Sequence, residues 1–157
     1  MACVGRLMNL HDLFSIPLRR TPKKVALQWQ IDGGAEQAIT YEELLDAADE
    51  LGAGLRIWGL CKGDRVAFFL NSRVEFVIAY LAVIRLGAVV VPINLRYRRT
   101  EIGHILADCA PRLLITERAQ QSILEEAGVS ESAEDSRSLE AVLDVEDLEQ
   151  WSVVSEK

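Results

Sequence analysis

Cysteine, histidine and proline are scarce in this chain of 157 residues, at three, two and four. Cys3, Cys61 and Cys109 lie far apart, form no CxxC pair and are odd in number. That pattern excludes a disulfide framework or a cysteine zinc site and fits a reducing cytosol. His11 and His104 each lack a second ligand at a metal-binding interval, so both read as surface or packing residues. Two histidines in unrelated elements also exclude a Ser-His-Asp or Cys-His arrangement. Neither GxGxxG nor GxxxxGK[ST] occurs, which removes the dinucleotide fingerprint and the Walker loop. Met1 to Leu18 has no long apolar core and is not a secretory signal. The longest apolar stretch, Phe76 to Leu95, holds Arg85 at its middle and is interrupted by Gly87 and Pro92. A charge at mid-bilayer costs about 2.5–3.5 kcal/mol even on a lenient scale. The stretch therefore reads as a buried helix running into a buried strand, with no transmembrane segment and a cytoplasmic location.

What is present is an ordinary globular composition, 50% hydrophobic and 26% charged, with a net charge of −7. The charge is uneven. Residues 1–124 carry 15 basic and 13 acidic side chains, whereas 125–157 carry 2 and 11. The acidity belongs to the tail, so the net charge is no statement about partners; no nucleic-acid partner is expected.

The spacing predicts a short helix over Asn9 to Arg20. A hairpin follows, from Val25 to Ile31 and Ala38 to Tyr41 around Asp32-Gly33-Gly34. Thr40-Tyr41-Glu42-Glu43 has capping-box spacing. Leu44, Ala48, Leu51, Leu55 and Trp58 then make one helical stripe ended by Gly59. Arg65 to Leu70 reads as a strand. Ser72-Arg73-Val74-Glu75 reads as a second capping box opening a helix to Leu86. Ala88 to Val91 reads as a strand covered on both faces. A helix near Arg99 to Ala110 presents Ile102, Ile105, Leu106 and Cys109, and Pro111 stops it. Leu113 to Thr116 is a further strand, followed by a helix near Ala119 to Ala127. Residues 129–138 are polar, and Ser138 to Trp151 has the spacing of an acidic amphipathic helix. The fold class is α/β, a mainly parallel sheet with flanking helices plus an N-terminal β-hairpin. Residues 1–127 form the α/β unit, and 128–157 an acidic connector with that last helix.

Ligands of such layers sit at the carboxyl ends of the strands. Gly33-Gly34 is explained by the hairpin, and Glu42-Glu43 and Asp49-Glu50 by solvated helix positions. One cluster stands out there, Arg96-Tyr97-Arg98-Arg99, just past Pro92-Ile93. Arginine forks suit phosphate.

The same stretches carry a resemblance. Thr21 to Leu27, Ile39 to Leu44, Lys62 to Ala67, Asn71 to Ala82 and Arg85 to Asn94, in that order, resemble the start of the adenylate-forming enzymes. These are acyl-CoA synthetases, luciferases and nonribosomal-peptide adenylation domains. The likeness covers roughly residues 9–127, and 94–108 is most similar to fatty-acyl and related acyl-CoA synthetases. The resemblance implies a parent that joins a carboxylic acid to coenzyme A through an acyl-adenylate, using ATP and Mg²⁺. It implies that the Ser/Thr/Gly-rich phosphate loop and catalytic lysine would follow Lys157. The chain is then an inactive N-terminal fragment, with no catalytic residue, metal ligand or cofactor of its own. Its partner would be the remainder of the ligase chain, and exposed apolar surface would favour self-association. Arg96 is the one position carried over as a ligand contact, to the nucleotide end of coenzyme A. Leu95 departs from the proline often found there. The alternatives are a stand-alone, non-catalytic binding or assembly module on the same scaffold, and an independent coenzyme A or nucleotide binder.

Overall fold

The computed structural model describes residues 20–30, 34–129 and 139–147. Strands β1 (Val25–Gln30) and β2 (Glu36–Thr40) pair antiparallel as the expected hairpin. Thr40 then caps helix α1 (Tyr41–Trp58): its hydroxyl accepts the Glu43 N–H at 3.3 Å, and Glu43 accepts the Thr40 N–H at 2.8 Å. Both orphan donors of the first turn are thereby met. Gly59 ends α1 at φ 110°, a left-handed conformation that costs glycine nothing.

From here strand and helix alternate: β3 (Arg65–Phe69), α2 (Val74–Arg85), β4 (Val89–Pro92), α3 (Arg99–Cys109), β5 (Leu113–Thr116), α4 (Gln121–Glu126) and β6 (Ala141–Asp144). The four later strands form one sheet in the order β4-β3-β5-β6, and all three pairings are parallel. Side chains alternate across it. Val66 and Phe68 of β3 and Leu113 and Ile115 of β5 pack with Leu51 and Leu55 of α1 and Ala79, Ala82 and Val83 of α2. Ala67, Phe69 and Leu114 face the other way, toward Ile102 and Leu124. The central strands are therefore covered on both faces, and the hairpin packs outside α1 and α2 through Leu44, Ala48, Leu81 and Ile84. Arg85, the charge inside the apolar stretch, pairs with Asp49 across the two helices. Among the described residues no helix is long and apolar enough to cross a membrane.

Three expectations are corrected. Residues 141–144 form a strand, not part of an acidic helix. Leu143 and Val145 are buried in the core, and Ala141 to Asp144 pair with Leu113 to Thr116. The open edge of β5 offers backbone partners that a solvated helix would leave unused. Ser72 does not cap α2. Arg73 is the N-cap residue without a side-chain bond, and Glu75 turns to its guanidinium instead. Strand β4 is not covered on both faces: it lies at the sheet edge, and Val89 is 49% exposed. The helix expected near 119–127 is present as α4, preceded by a 3₁₀ turn, Arg118–Gln120. The expected helix over 9–20, apart from Arg20 at its end, the Asp32-Gly33 turn, the polar run 130–138 and residues 148–151 lie outside the described residues.

Candidate functional site

The carboxyl ends of β3, β5 and β6 meet in a network of charged side chains. Glu117, just past β5, is only 4% exposed. Its carboxylate accepts the Asn71 N–H at 3.0 Å, the Asn71 side-chain amide, and Gln120 Nε2 at 3.3 Å. Such a buried charge survives only when its lone pairs are met. Arg73 supplies the opposite charge. Its Nη1 lies 3.3 Å from Glu117 and 2.6 Å from Glu146, and its Nε lies 2.7 Å from Glu75. Glu75 first, then Glu146 and Glu117, hold Arg73 firmly protonated. Thr116 Oγ1 donates to Phe69 O at 2.9 Å, tying the last residues of β5 and β3 together.

Beyond β6 two carboxyls are driven apart. Burial, then the neighbouring Glu146 carboxyl, push Asp144 up to about 6. Burial works the same way on Glu146, but hydrogen bonds from Asp144, Arg73 and the Arg118 N–H outweigh it and bring Glu146 to about 2. Each acid here already has protein partners, so the network is a brace and leaves little to offer a ligand. Among the described residues no group of three or more His, Cys, Asp or Glu is placed to hold a metal ion.

The second feature at this edge is the turn after β4. Asn94 Oδ1 accepts the Arg96 N–H at 2.9 Å, and Asn94 O accepts the Tyr97 N–H at 3.0 Å. Arg96 is exposed, and its guanidinium makes no hydrogen bond or ion pair among the described residues. Arg98 and Arg99 are exposed as well, and the Tyr97 ring is 38% exposed. The geometry thus offers free cationic charge where ligands of parallel sheets bind. Two cavities lie elsewhere. One of about 290 Å³ is lined by Leu27, Trp29, Arg73 and Phe76, and one of about 420 Å³ by Asp49, Arg56, Leu60 and Arg85. Arg96 lines neither.

His104 is exposed on α3, as a surface histidine. Cys61 and Cys109 are free thiols, and burial pushes the Cys109 thiol up, away from nucleophilic character. Sequence reasoning missed the Arg73–Glu117–Glu146 network. Its members stand 44 and 73 residues apart, and no local spacing joins them.

The matches to known proteins agree with the layer order. The family model for AMP-binding enzymes matches residues 14–157. A 3-hydroxybenzoate–CoA/4-hydroxybenzoate–CoA ligase of Thauera aromatica is 44% identical over 80 residues, 51% of this chain and 15% of that enzyme. A medium/long-chain-fatty-acid–CoA/3-oxocholest-4-en-26-oate–CoA ligase of Mycobacterium marinum is 32% identical over 111 residues, 71% of this chain and 19% of that enzyme. The crystal structure of the anthranilate CoA ligase AuaEII with anthranoyl-AMP superposes at a TM-score of 0.81 and 22% identity. That superposition takes in 96% of this chain and 28% of the ligase, and it establishes the shared fold. The chain thus spans less than a third of each. With a family match that runs through every strand of both sheets, the chain belongs to the AMP-binding enzymes.

Proposed function

We propose that this chain is the N-terminal scaffold of an ATP-dependent acid–CoA ligase and performs no catalytic step alone. The reaction of such a ligase runs in two displacements. A carboxylate oxygen attacks the α-phosphorus of ATP as the bond to pyrophosphate breaks, and the coenzyme A sulfur then attacks the acyl carbon as AMP leaves. Developing phosphate charge needs preorganised donors and a metal. This reading assigns ATP and Mg²⁺ to residues outside the chain. Its own acids at the sheet edge are engaged by Arg73 and Arg118.

What the chain supplies is a rigid floor and one cation. The Arg73 network locks the ends of β3, β5 and β6 together. Arg96, whose guanidinium has no partner among the described residues, is assigned to the nucleotide end of coenzyme A. Residues 128–157 are read as the acidic connection toward the rest of the ligase. The acid is read as a carboxylic acid of the aryl or fatty class, the two kinds named in two of the ligases this chain is similar to. The exposed side chains of Ile57 and Val89 fit surface that the rest of the ligase covers. The isolated chain is expected to self-associate in light scattering.

The single observation carrying this reading is the family match over 14–157. The test is to read the gene beyond codon 157 and to assay the longer product for ATP-dependent thioester formation with benzoates and fatty acids. The reading expects a frame that continues into a glycine-rich phosphate loop, and a thioester product. A stop codon followed by unrelated sequence would favour a stand-alone module instead.

A further inference from the structure

The turn that follows β6, Val145–Asp147, is overloaded with acid. Glu75, Glu117, Asp144, Glu146 and Asp147 gather there around two guanidiniums, those of Arg73 and Arg118. Arg73 bonds the carboxylates of Glu75, Glu117 and Glu146, and Arg118 Nη2 reaches Asp147 Oδ1 at 3.3 Å. Of these five acids, Asp144 alone receives no arginine side chain. Its donors are neutral: Oδ1 accepts the Glu146 N–H at 2.9 Å, and Oδ2 accepts Gln121 Nε2 from α4 at 3.3 Å. The Glu146 carboxyl lies against it in hydrogen-bond contact, and also accepts the Arg118 N–H at 3.2 Å.

Two carboxyls in contact cannot both ionise without cost. Glu146 keeps its charge, because Arg73 and the Arg118 N–H hold it. The proton therefore goes to Asp144, half-buried between the buried Leu143 and Val145. Protonated, Asp144 donates to the Glu146 carboxylate and ties the end of β6 to the turn. Ionised, it repels that carboxylate, and Arg73 retains Glu75 and Glu117 as partners. The Arg118–Asp147 pair is exposed and screened, so it holds the turn only weakly. Burial first, then Glu146, raise Asp144 to about 6, far above an ordinary aspartate.

We infer that Asp144 and Glu146 form a proton-operated latch. Closed, with one proton shared between the two carboxyls, it adds the Val145–Asp147 turn to the Arg73 brace. Open, it frees Glu146 and Asp147 while Leu143 and Val145 stay in the core and β6 stays paired with β5. The latch is independent of the ligase reading and of Arg96.

Nitrogen-resolved NMR spectra of the 157-residue chain, titrated from about pH 4.5 to about pH 7.5 with hydrogen exchange as a second readout, test it. The amide signals of Arg118, Glu146 and Asp147 are expected to shift together with a midpoint near 6. Protection of these amides is expected to fall about tenfold across the transition, while Val142 and Leu143 keep theirs. Asp144→Asn cannot ionise and is expected to hold the three amides in their low-pH positions throughout. Glu146→Gln removes the facing charge and is expected to move the remaining Asp144 transition down toward about pH 4. A transition near pH 6 that persists in Asp144→Asn belongs to another group and would overturn the latch. So would the absence of any shift of these amides between about pH 5 and 7, or an unmoved midpoint in Glu146→Gln. Equal loss of protection at Val142 and Leu143 would overturn the local opening, because the whole strand would then be melting.

Discussion

Replacing Arg112 by alanine should destabilise the chain by about 2–4 kcal/mol, because this side chain fastens four elements at the amino edge of the sheet. Its Nη1 donates to Gly59 O at 2.9 Å and lies 2.6 Å from Asp64 Oδ2. Nε and Nη2 fork onto Glu140 at 2.8 and 2.6 Å, and the guanidinium lies 5.3 Å from the centre of the Trp58 ring. The Arg112 main chain takes part as well, its carbonyl accepting the N–H groups of Glu140 and Ala141 at the start of β6. A hydrogen bond to a charged group contributes about 1.5–3 kcal/mol, and a cation over an exposed ring about 0.5–1 kcal/mol. Asp64 is 21% exposed and keeps the Cys61 N–H at 2.8 Å. The loss therefore stays below the 3–5 kcal/mol that follows breaking a fully buried pair. The Glu140 arm is more exposed and adds only a screened increment.

Urea unfolding followed by circular dichroism gives the number, and a cycle with Asp64→Ala should return a coupling of about 1–2 kcal/mol. The pH dependence has a definite sign. The Cys61 N–H first, then Arg112, hold Asp64 below its usual range, and Arg112 holds Glu140 below its own. Depressed carboxyls stabilise above their unfolded values and lose that contribution as pH falls through the folded ones. The gap between wild type and Arg112→Ala should be full at pH 7 and narrow below about pH 4. A gap under about 0.5 kcal/mol at pH 7, or one that widens in acid, would refute the reasoning.

Two further outcomes follow from particular contacts. Asp144, raised to about 6, binds its proton more tightly in the folded chain than in the unfolded one. Stability should therefore fall as pH rises from about 4 to 6, and Asp144→Asn should be about 1 kcal/mol more stable than wild type at pH 7.5, with no advantage near pH 4. The full shift would convert to more, but partial water access and the facing Glu146 and Arg118 discount it. Gly52, buried where α1 crosses α2, has room for a methyl group, whose carbon would sit 3.8 Å from Ala82 O. Gly52→Ala should raise stability by about 0.5–1 kcal/mol in thermal melts.

The elements legible in the sequence are those whose signal is local. The Leu44-to-Trp58 stripe, the Thr40 capping box, and the apolar runs of β3 and β5 each announce themselves within a few residues. Strand β6 does not. Leu139, Val142, Leu143 and Val145 satisfy helical and extended spacing alike, and the choice falls to β5, whose free edge lies 28 residues earlier. The Ser72 cap fails for a related reason: Asn71 and Arg73 are drawn to Glu117, beyond the reach of any box motif. The Arg96-to-Arg99 cluster itself was legible, since it follows a strand end. That the Arg98 guanidinium turns back onto Leu95 O and Tyr97 O was not, because no spacing sets Arg98 apart from its neighbours.

We propose that these residues build a scaffold and hold none of the adenylating machinery. Acid-dependent exchange of radiolabelled pyrophosphate into ATP, measured on the purified 157-residue chain with benzoates and fatty acids, tests that claim most directly. Exchange at the level of a no-protein control is the predicted result; clear exchange with any of these acids would contradict it.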